Sequence, residues 1–278
     1  MTEEALATWL YAVTAAREEN GAPPGLTGVA DEPVRLVGNA GLAAVVGSVP
    51  LADFGEEPLR AHLEDLPWLE RAARAHHRVI GRAAGYGQVI PLRFATIYHD
   101  DGRVRTMLEE RRDDLAQTLA RVAGRTEWGV KAYVDPRAFL PDPGDEETSG
   151  DSPGTAYLLR RRAQRDDKET AHLRATERAE EIHTALAALA VASATHPPQD
   201  ARLAAYEGWM VLNNSYMVPD ERTEEFSAAV TGLGERYPDV DLELSGPWPP
   251  YSFTAPPERE QPEREQPERE RPEREEAS

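Results

Sequence analysis

One stretch limits the folds open to this chain more than any other: Asp65 to Tyr98, DLPWLERAARAHHRVIGRAAGYGQVIPLRFATIY. In its first half Trp68, Leu69, Ala72, Ala75, His76, Val79 and Ile80 recur at three- and four-residue steps, while Glu70, Arg71, Arg74 and Arg78 fall opposite. That spacing predicts an amphipathic helix. Asp65 is placed to cap it, Pro67 sits in the first turn where a missing N–H costs nothing, and Gly81, Gly85 and Gly87 end the pattern. In the second half Ile90, Leu92, Phe94, Thr96 and Tyr98 alternate with Val89, Pro91, Arg93, Ala95 and Ile97, which predicts one continuous strand. Arg93 is its lone charge and is expected to pair with a buried acid. A helix followed directly by so apolar a strand predicts the middle of an α+β core.

Around this centre, Trp9 to Val13 reads as a strand, Glu18 to Gly28 as a loop, and Val34–Val37 with Leu42–Val49 as a hairpin turning at Gly38 to Gly41. Phe54 to Leu63 predicts a short helix. After the turn residues His99, Asp100, Asp101 and Gly102, one helix is expected to carry Val104, Met107, Leu108, Leu115, Leu119 and Val122 on a single face, with Gly124 closing it. Trp128 to Val134 predicts a strand with Trp128, Val130, Ala132 and Val134 inward.

The segment PDPGDEETSGDSP has too few apolar groups to offset the entropy of ordering it, so 140–153 reads as a linker or long loop. Gly154 to Val191 predicts a long helix with a narrow stripe of Tyr157, Leu158, Leu173, Ile182, Ala185, Leu186 and Leu189, suited to projecting from the body or packing as a hairpin or coiled coil. A strand at Trp209–Val218, a helix at Glu221–Tyr237 and a strand at Val240–Leu244 follow. This order fits a ferredoxin-like domain once an opening strand is supplied, and the sequence does not say which segment supplies it. The fold class expected is α+β in two domains: an N-terminal α+β sandwich over 1–139 and a C-terminal ferredoxin-like domain with a long helix over 154–255. The PEREQ-type repeats of 256–278 hold a proline in every unit and no apolar group, which predicts a disordered tail.

Function classes can be excluded on similar grounds. With no cysteine, the chain has no disulfide, thiolate metal site or cysteine nucleophile. A formal charge of −19 opposes nucleic acid or an anionic membrane as principal partner, since both are polyanions. No leader-like segment and no apolar run long enough to span a bilayer is seen, so a cytoplasmic location is expected.

Gly150-Asp151-Ser152-Pro153-Gly154 satisfies G-x-S-x-G, but a polar loop precedes it, and Pro153 lacks the N–H that an oxyanion hole would need. No phosphate-cradling glycine motif is present. Among seven histidines, His76 and His77 are adjacent and point about 100° apart on a helix. His172 and His183 share a face but lie about 16 Å apart, too far for one ion. His76 is therefore expected to be a packing residue and His77 a solvated one. Asp113-Asp114, Asp166-Asp167 and the run Arg160, Arg161, Arg162, Arg165 read as solvated helix faces. No catalytic residue, metal ligand or cofactor site is assigned.

The segments DLPWLERAARAHHRVI, VIPLRFATIY, EWGVKAYVD, GTAYLLRRR, NNSYMV and LSGPWPPYSF, in this order, resemble the gas vesicle protein F/L family (GvpF/GvpL). The likeness runs from Trp9 to Phe253, and the run Gly246 to Phe253 (GPWPPYSF) is its most specific part. Family members usually carry Gly where this chain has Ala95. The resemblance implies two α+β domains, the second ferredoxin-like. It also implies a non-enzymatic accessory protein that binds the hydrophobic shell protein and prevents its aggregation during vesicle nucleation, alongside other accessory proteins. Trp248, Pro249, Tyr251 and Phe253 are the candidate partner-binding residues, either as an exposed aromatic patch or as a staple over the core, and the staple is preferred. Two rivals are an enzyme on a ferredoxin-like scaffold and a scaffolding protein whose tail recruits a basic partner.

Overall fold

The computed structural model describes residues 5–16, 25–140, 153–198 and 208–254, with backbone alone considered at 153–161, 163–164 and 166–167. Most of the expected 18–28 loop, the 141–152 stretch with most of the G-x-S-x-G match, and the repeat tail lie outside these residues.

The first sheet is built on β1 (Leu6–Ala15). It pairs antiparallel with β3 (Leu42–Pro50) on one side and with β4 (Val89–Pro91) and β5 (Ile97–Tyr98) on the other, and β2 (Arg35–Asn39) lies outside β3. The β2–β3 hairpin is as expected, and its turn places Ala40 and Gly41 at φ 55° and 80°. Two consecutive positive φ values match the right-handed twist of the strands they join. Along β1, Ala7, Trp9 and Tyr11 enter one core with Phe54, Val79 and Ile80, while Leu10 and Val13 enter a second with Val104, Leu108 and Leu115. Helices therefore cover both faces, and the unit is a three-layer rather than a two-layer sandwich. This is why β1 is apolar at nearly every position instead of alternating.

The expected helix over Phe54–Leu63 is two short ones, α1 (Leu51–Phe54) and α2 (Glu56–Glu64), broken at Gly55 with ψ 169°. The central helix, α3 (Leu66–Ala84), buries Ala72, Ala75, His76, Val79, Ile80 and Ala83. Asp65 occupies its N-cap position, but the side chain makes no capping hydrogen bond. The continuous strand expected to follow is interrupted. β4 ends at Pro91, Thr96 Oγ1 donates to the Arg93 carbonyl (2.7 Å), and Ala95 takes φ 62° before β5 resumes. Both flanks stay bonded to β1, through Leu92 N to Tyr11 O and Leu10 N to Thr96 O, each 2.9 Å. Arg93 sits on this bulge exposed to solvent, so it is not the buried, acid-paired charge expected. The next expected helix is also two, α4 (Asp101–Glu110) and α5 (Arg112–Val122), hinged at Arg111. The sequence there holds neither Gly nor Pro, so no local signal marks the break.

The second sheet has the order β7-β8-β6-β9, formed by β6 (Arg125–Val134), β7 (Ala192–Thr195), β8 (Trp209–Pro219) and β9 (Val240–Trp248). With α6 (Pro153–Ala187) between β6 and β7 and α7 (Thr223–Arg236) between β8 and β9, this is a βαββαβ ferredoxin-like arrangement. β6 is the opening strand that the sequence left unassigned. It lies upstream of residue 140, so the second sheet does not begin at the compositional boundary. β7 was not anticipated: Ala-Ser-Ala-Thr is short and carries no large apolar residue.

Helix α6 packs Ala171, Ala175, Ala179, Ile182 and Leu186 onto the sheet with Phe226, Val230 and Leu233 of α7. Over that span it neither projects nor forms a coiled coil. Leu173, expected in its stripe, is 59% exposed, and Ala185 also faces out. The true stripe is alanine-rich because small side chains let a helix lie close to a sheet, and a search for large apolar residues passes over it.

Candidate functional site

Both helices of the second unit lie on one face of its sheet, against Val130, Ala132 and Val134 of β6. Side chains alternate along a strand, so Glu127, Gly129, Lys131 and Tyr133 point to the helix-free face. Near the end of β9 the chain turns across that face. Gly246 has φ 133°, and a Cβ there would come within 3.0 Å of the Trp128 ring and 3.2 Å of the Glu127 carbonyl oxygen, so the turn needs glycine. Gly129 leaves room in the same way for the Ser245 hydroxyl, 2.7 Å from where a Cβ would stand.

The strap that follows is held at its centre by Glu127, which is 5% exposed. One carboxylate oxygen accepts from Ser252 N (2.9 Å) and the other from Ser252 Oγ (2.6 Å). Ser252 Oγ is also 3.1 Å from Ser215 Oγ on β8, and Ser215 Oγ is 2.9 Å from Nε2 of His196, just past β7. A buried carboxylate is costly unless hydrogen-bonded, and here the strap supplies the donors.

Of the four expected contact residues, Trp248 ends β9 and Pro249, Tyr251 and Phe253 follow on the strap, and Trp248, Tyr251 and Phe253 bridge to the first unit. Tyr251 stacks on His77 of α3, with ring centroids 5.8 Å apart and planes 15° from parallel, and its hydroxyl lies 3.3 Å from His77 Nδ1. Burial, aided by the Glu127 charge, pushes its phenol up to about 12. Trp248 meets the same imidazole edge-on at 5.3 Å. The Phe253 carbonyl accepts from Arg121 Nη2 of α5 (3.1 Å), and the Pro249 carbonyl accepts from Tyr251 N (2.7 Å). The run thus fastens the chain end across both units, yet Trp248 and Tyr251 remain 40% and 36% exposed.

His76 is buried and packs as expected. Trp9 Nε1 donates to its Nδ1 (3.0 Å), so its Nε2 carries the proton and donates to the Leu92 carbonyl (3.1 Å). Burial lowers its pKa to about 4, which keeps it neutral. His77 is half-buried against the strap rather than merely solvated. Sequence reasoning missed Glu127, Ser215, Ser252 and His196. The one available signal was a charged residue at Glu127 in a strand whose other face is apolar. Among the described residues no group of three or more His, Asp or Glu converges as a metal site, and no helix is long and apolar enough to cross a membrane.

Comparison with known proteins bears on this architecture. The family model for the gas vesicle synthesis protein GvpL/GvpF matches residues 7–255. Gas vesicle protein L of Streptomyces sp. (strain CB03234) is 42% identical over 91% of this chain and 94% of its own length. Gas vesicle protein F of the same strain is 27% identical over 89% and 99%. Of these two, the chain is more similar to the L protein. The crystal structure of GvpF from Anabaena sp. PCC7120 superposes with a TM-score of 0.64 at 18% identity, covering 90% of this chain and 96% of that one. The chain belongs to the GvpL/GvpF family of gas vesicle synthesis proteins.

Proposed function

We propose that this chain is an accessory of gas vesicle assembly that binds the small hydrophobic shell protein and keeps it from aggregating during nucleation, together with other accessory proteins, in the cytoplasm and at the nascent vesicle. Its contact surface is the strap, with Trp248 and Tyr251 as anchors beside Pro249 and Phe253. One observation carries this reading. Two large rings stay partly open to solvent on a segment that is otherwise pinned by a buried carboxylate and by contacts to both units. Preformed aromatic anchors lose little conformational entropy on meeting an apolar client. The net charge of −19 would keep the loaded complex soluble.

Co-expression with the shell protein tests this. The soluble fraction of shell protein should rise with this chain present and fall back when Trp248→Ala and Tyr251→Ala are combined. No change in solubility with the wild-type chain would end the proposal.

Binding rather than catalysis is also supported by the arrangement of the Ser–His contacts at the strap, where His196 Nε2 lies 2.9 Å from Ser215 Oγ and 3.3 Å from Ser252 Oγ. Both Glu127 oxygens are taken by Ser252, so the carboxylate does not orient His196 as a nucleophile's base requires. Deleting Pro257 to Ser278 separates the remaining rival: a tail-recruiting scaffold would lose its partner, whereas the strap reading expects shell-protein binding to survive.

A further inference from the structure

Between α6 and β7–β8 lies a recess of about 300 Å³ whose lining includes His196, a member of the hydrogen-bond network under the strap. Ala179 of α6 and Leu212 of β8 form part of its apolar wall, and Glu180, His183 and Asn214 also line it. Asn214 is 4% exposed, and its Oδ1 is buried without a hydrogen-bond partner among the described residues. The local network explains why. Tyr216, fully buried, has its hydroxyl 3.0 Å from His183 Nδ1, and Asn214 Nδ2 lies 3.0 Å from the same nitrogen. The single Nδ1 lone pair accepts one proton, and with the Asn214 NH2 supplying it that side chain's carbonyl oxygen is turned away from the imidazole. The carbonyl oxygen is left unmatched, a cost that a bound donor would remove.

The second acceptor is a charge. On α6 the neighbouring ion pair is made by Glu181 with Arg178, so the exposed Glu180 carboxylate is left to the recess it lines. An apolar wall with a buried carbonyl and a carboxylate selects against anions, and a neutral group would leave the carboxylate unpaired. The complement is a short alkyl chain ending in a cation that carries several N–H donors. We propose that this recess is a binding site for an alkyl guanidinium or ammonium group, either a free diamine-like cation or a Lys or Arg side chain presented by a partner. The strongly negative chain would concentrate such cations near it. The inference does not depend on the strap or on the shell-protein reading.

Titration of the full-length chain with agmatine, followed by calorimetry and by the His183 imidazole NMR signals, tests the site. A parallel arm uses a capped Gly-Arg-Gly peptide as the protein-like source. Saturable binding is expected, weakened roughly tenfold or more by Glu180→Lys, as when a charge-assisted hydrogen bond becomes a repulsion. Glu177→Lys on the same helix should change it little. Glu180 is exposed, so its variant keeps the fold, and Asn214→Ala serves as a second variant where circular dichroism shows native structure. Tighter binding of the peptide would assign the site to a partner's side chain, and equal or tighter binding of agmatine to a free cation. Absence of saturable binding by either probe, or equal affinity in wild type and Glu180→Lys, would overturn the proposal.

Discussion

β1 and β6 are both ten-residue strands at the centre of an antiparallel sheet, yet they are built differently. β1 has helices on both sides and is buried from Ala7 to Val13 without a break. β6 has helices on one side only, and its other face carries Glu127, Gly129 and Lys131. A sheet sealed on both faces can do little except hold itself together. One with an open face must cover part of it with something else, and here a polar latch and an aromatic strap have been placed there.

The sharpest way to break this comparison is to truncate the two strands alike. Trp9→Ala removes a fully buried ring that touches Phe54, His76 and Phe94, and should cost about 3–5 kcal/mol in denaturant unfolding. Trp128→Ala removes a half-buried ring whose Nε1 has no hydrogen-bond partner among the described residues, and should cost about half as much. Equal losses would show that the second sheet is as tightly built as the first.

Acid should act on the first unit through His76. The His76 pKa falls from 6.5 to about 4 on folding, so the unfolded chain binds this proton in a range where the folded one does not. Its contribution is complete above pH 6.5 and is lost as pH falls towards 4, reaching about 3 kcal/mol, and His76→Gln should flatten that part of the stability curve. Unfolding midpoints at a series of pH values measure it.

A smaller effect probes the latch itself. Ser252→Ala takes one donor from the buried Glu127 carboxylate and should cost about 1–3 kcal/mol, felt chiefly as faster amide exchange across 248–254 while β1 stays protected. Smallest is Ala95→Gly. It relieves a left-handed backbone at φ 62° and should stabilise by under about 1 kcal/mol after the extra freedom of glycine in the unfolded chain is counted, a rise visible in Tm.

The elements best read from sequence were those whose burial is periodic and local. α3 was drawn almost residue by residue from its apolar spacing, and the β2–β3 hairpin from its turn residues. Where tertiary context decided, the sequence was mute. The bulge at Arg93–Ala95 interrupts what looks like unbroken alternation, and the α4–α5 hinge falls in a run of charges. β7 is too short and too small-residued to announce itself. Composition marked a boundary near 140, but strand pairing ignores composition and takes β6 from before it. The strap was legible as an aromatic run, whereas its partner Glu127 was not, since nothing in a strand's own residues tells which distant backbone will lie across it.

The place of β6 also bears on how the chain comes off the ribosome. Its two pairing partners, β8 and β9, and the strap that covers Glu127 are all translated after α6 has been made. Until then a strand destined for the middle of a sheet has both edges unsatisfied and a carboxylate awaiting its donors, while the first unit can already close around β1. Nascent chains halted after α6 should therefore be sticky in their second half alone.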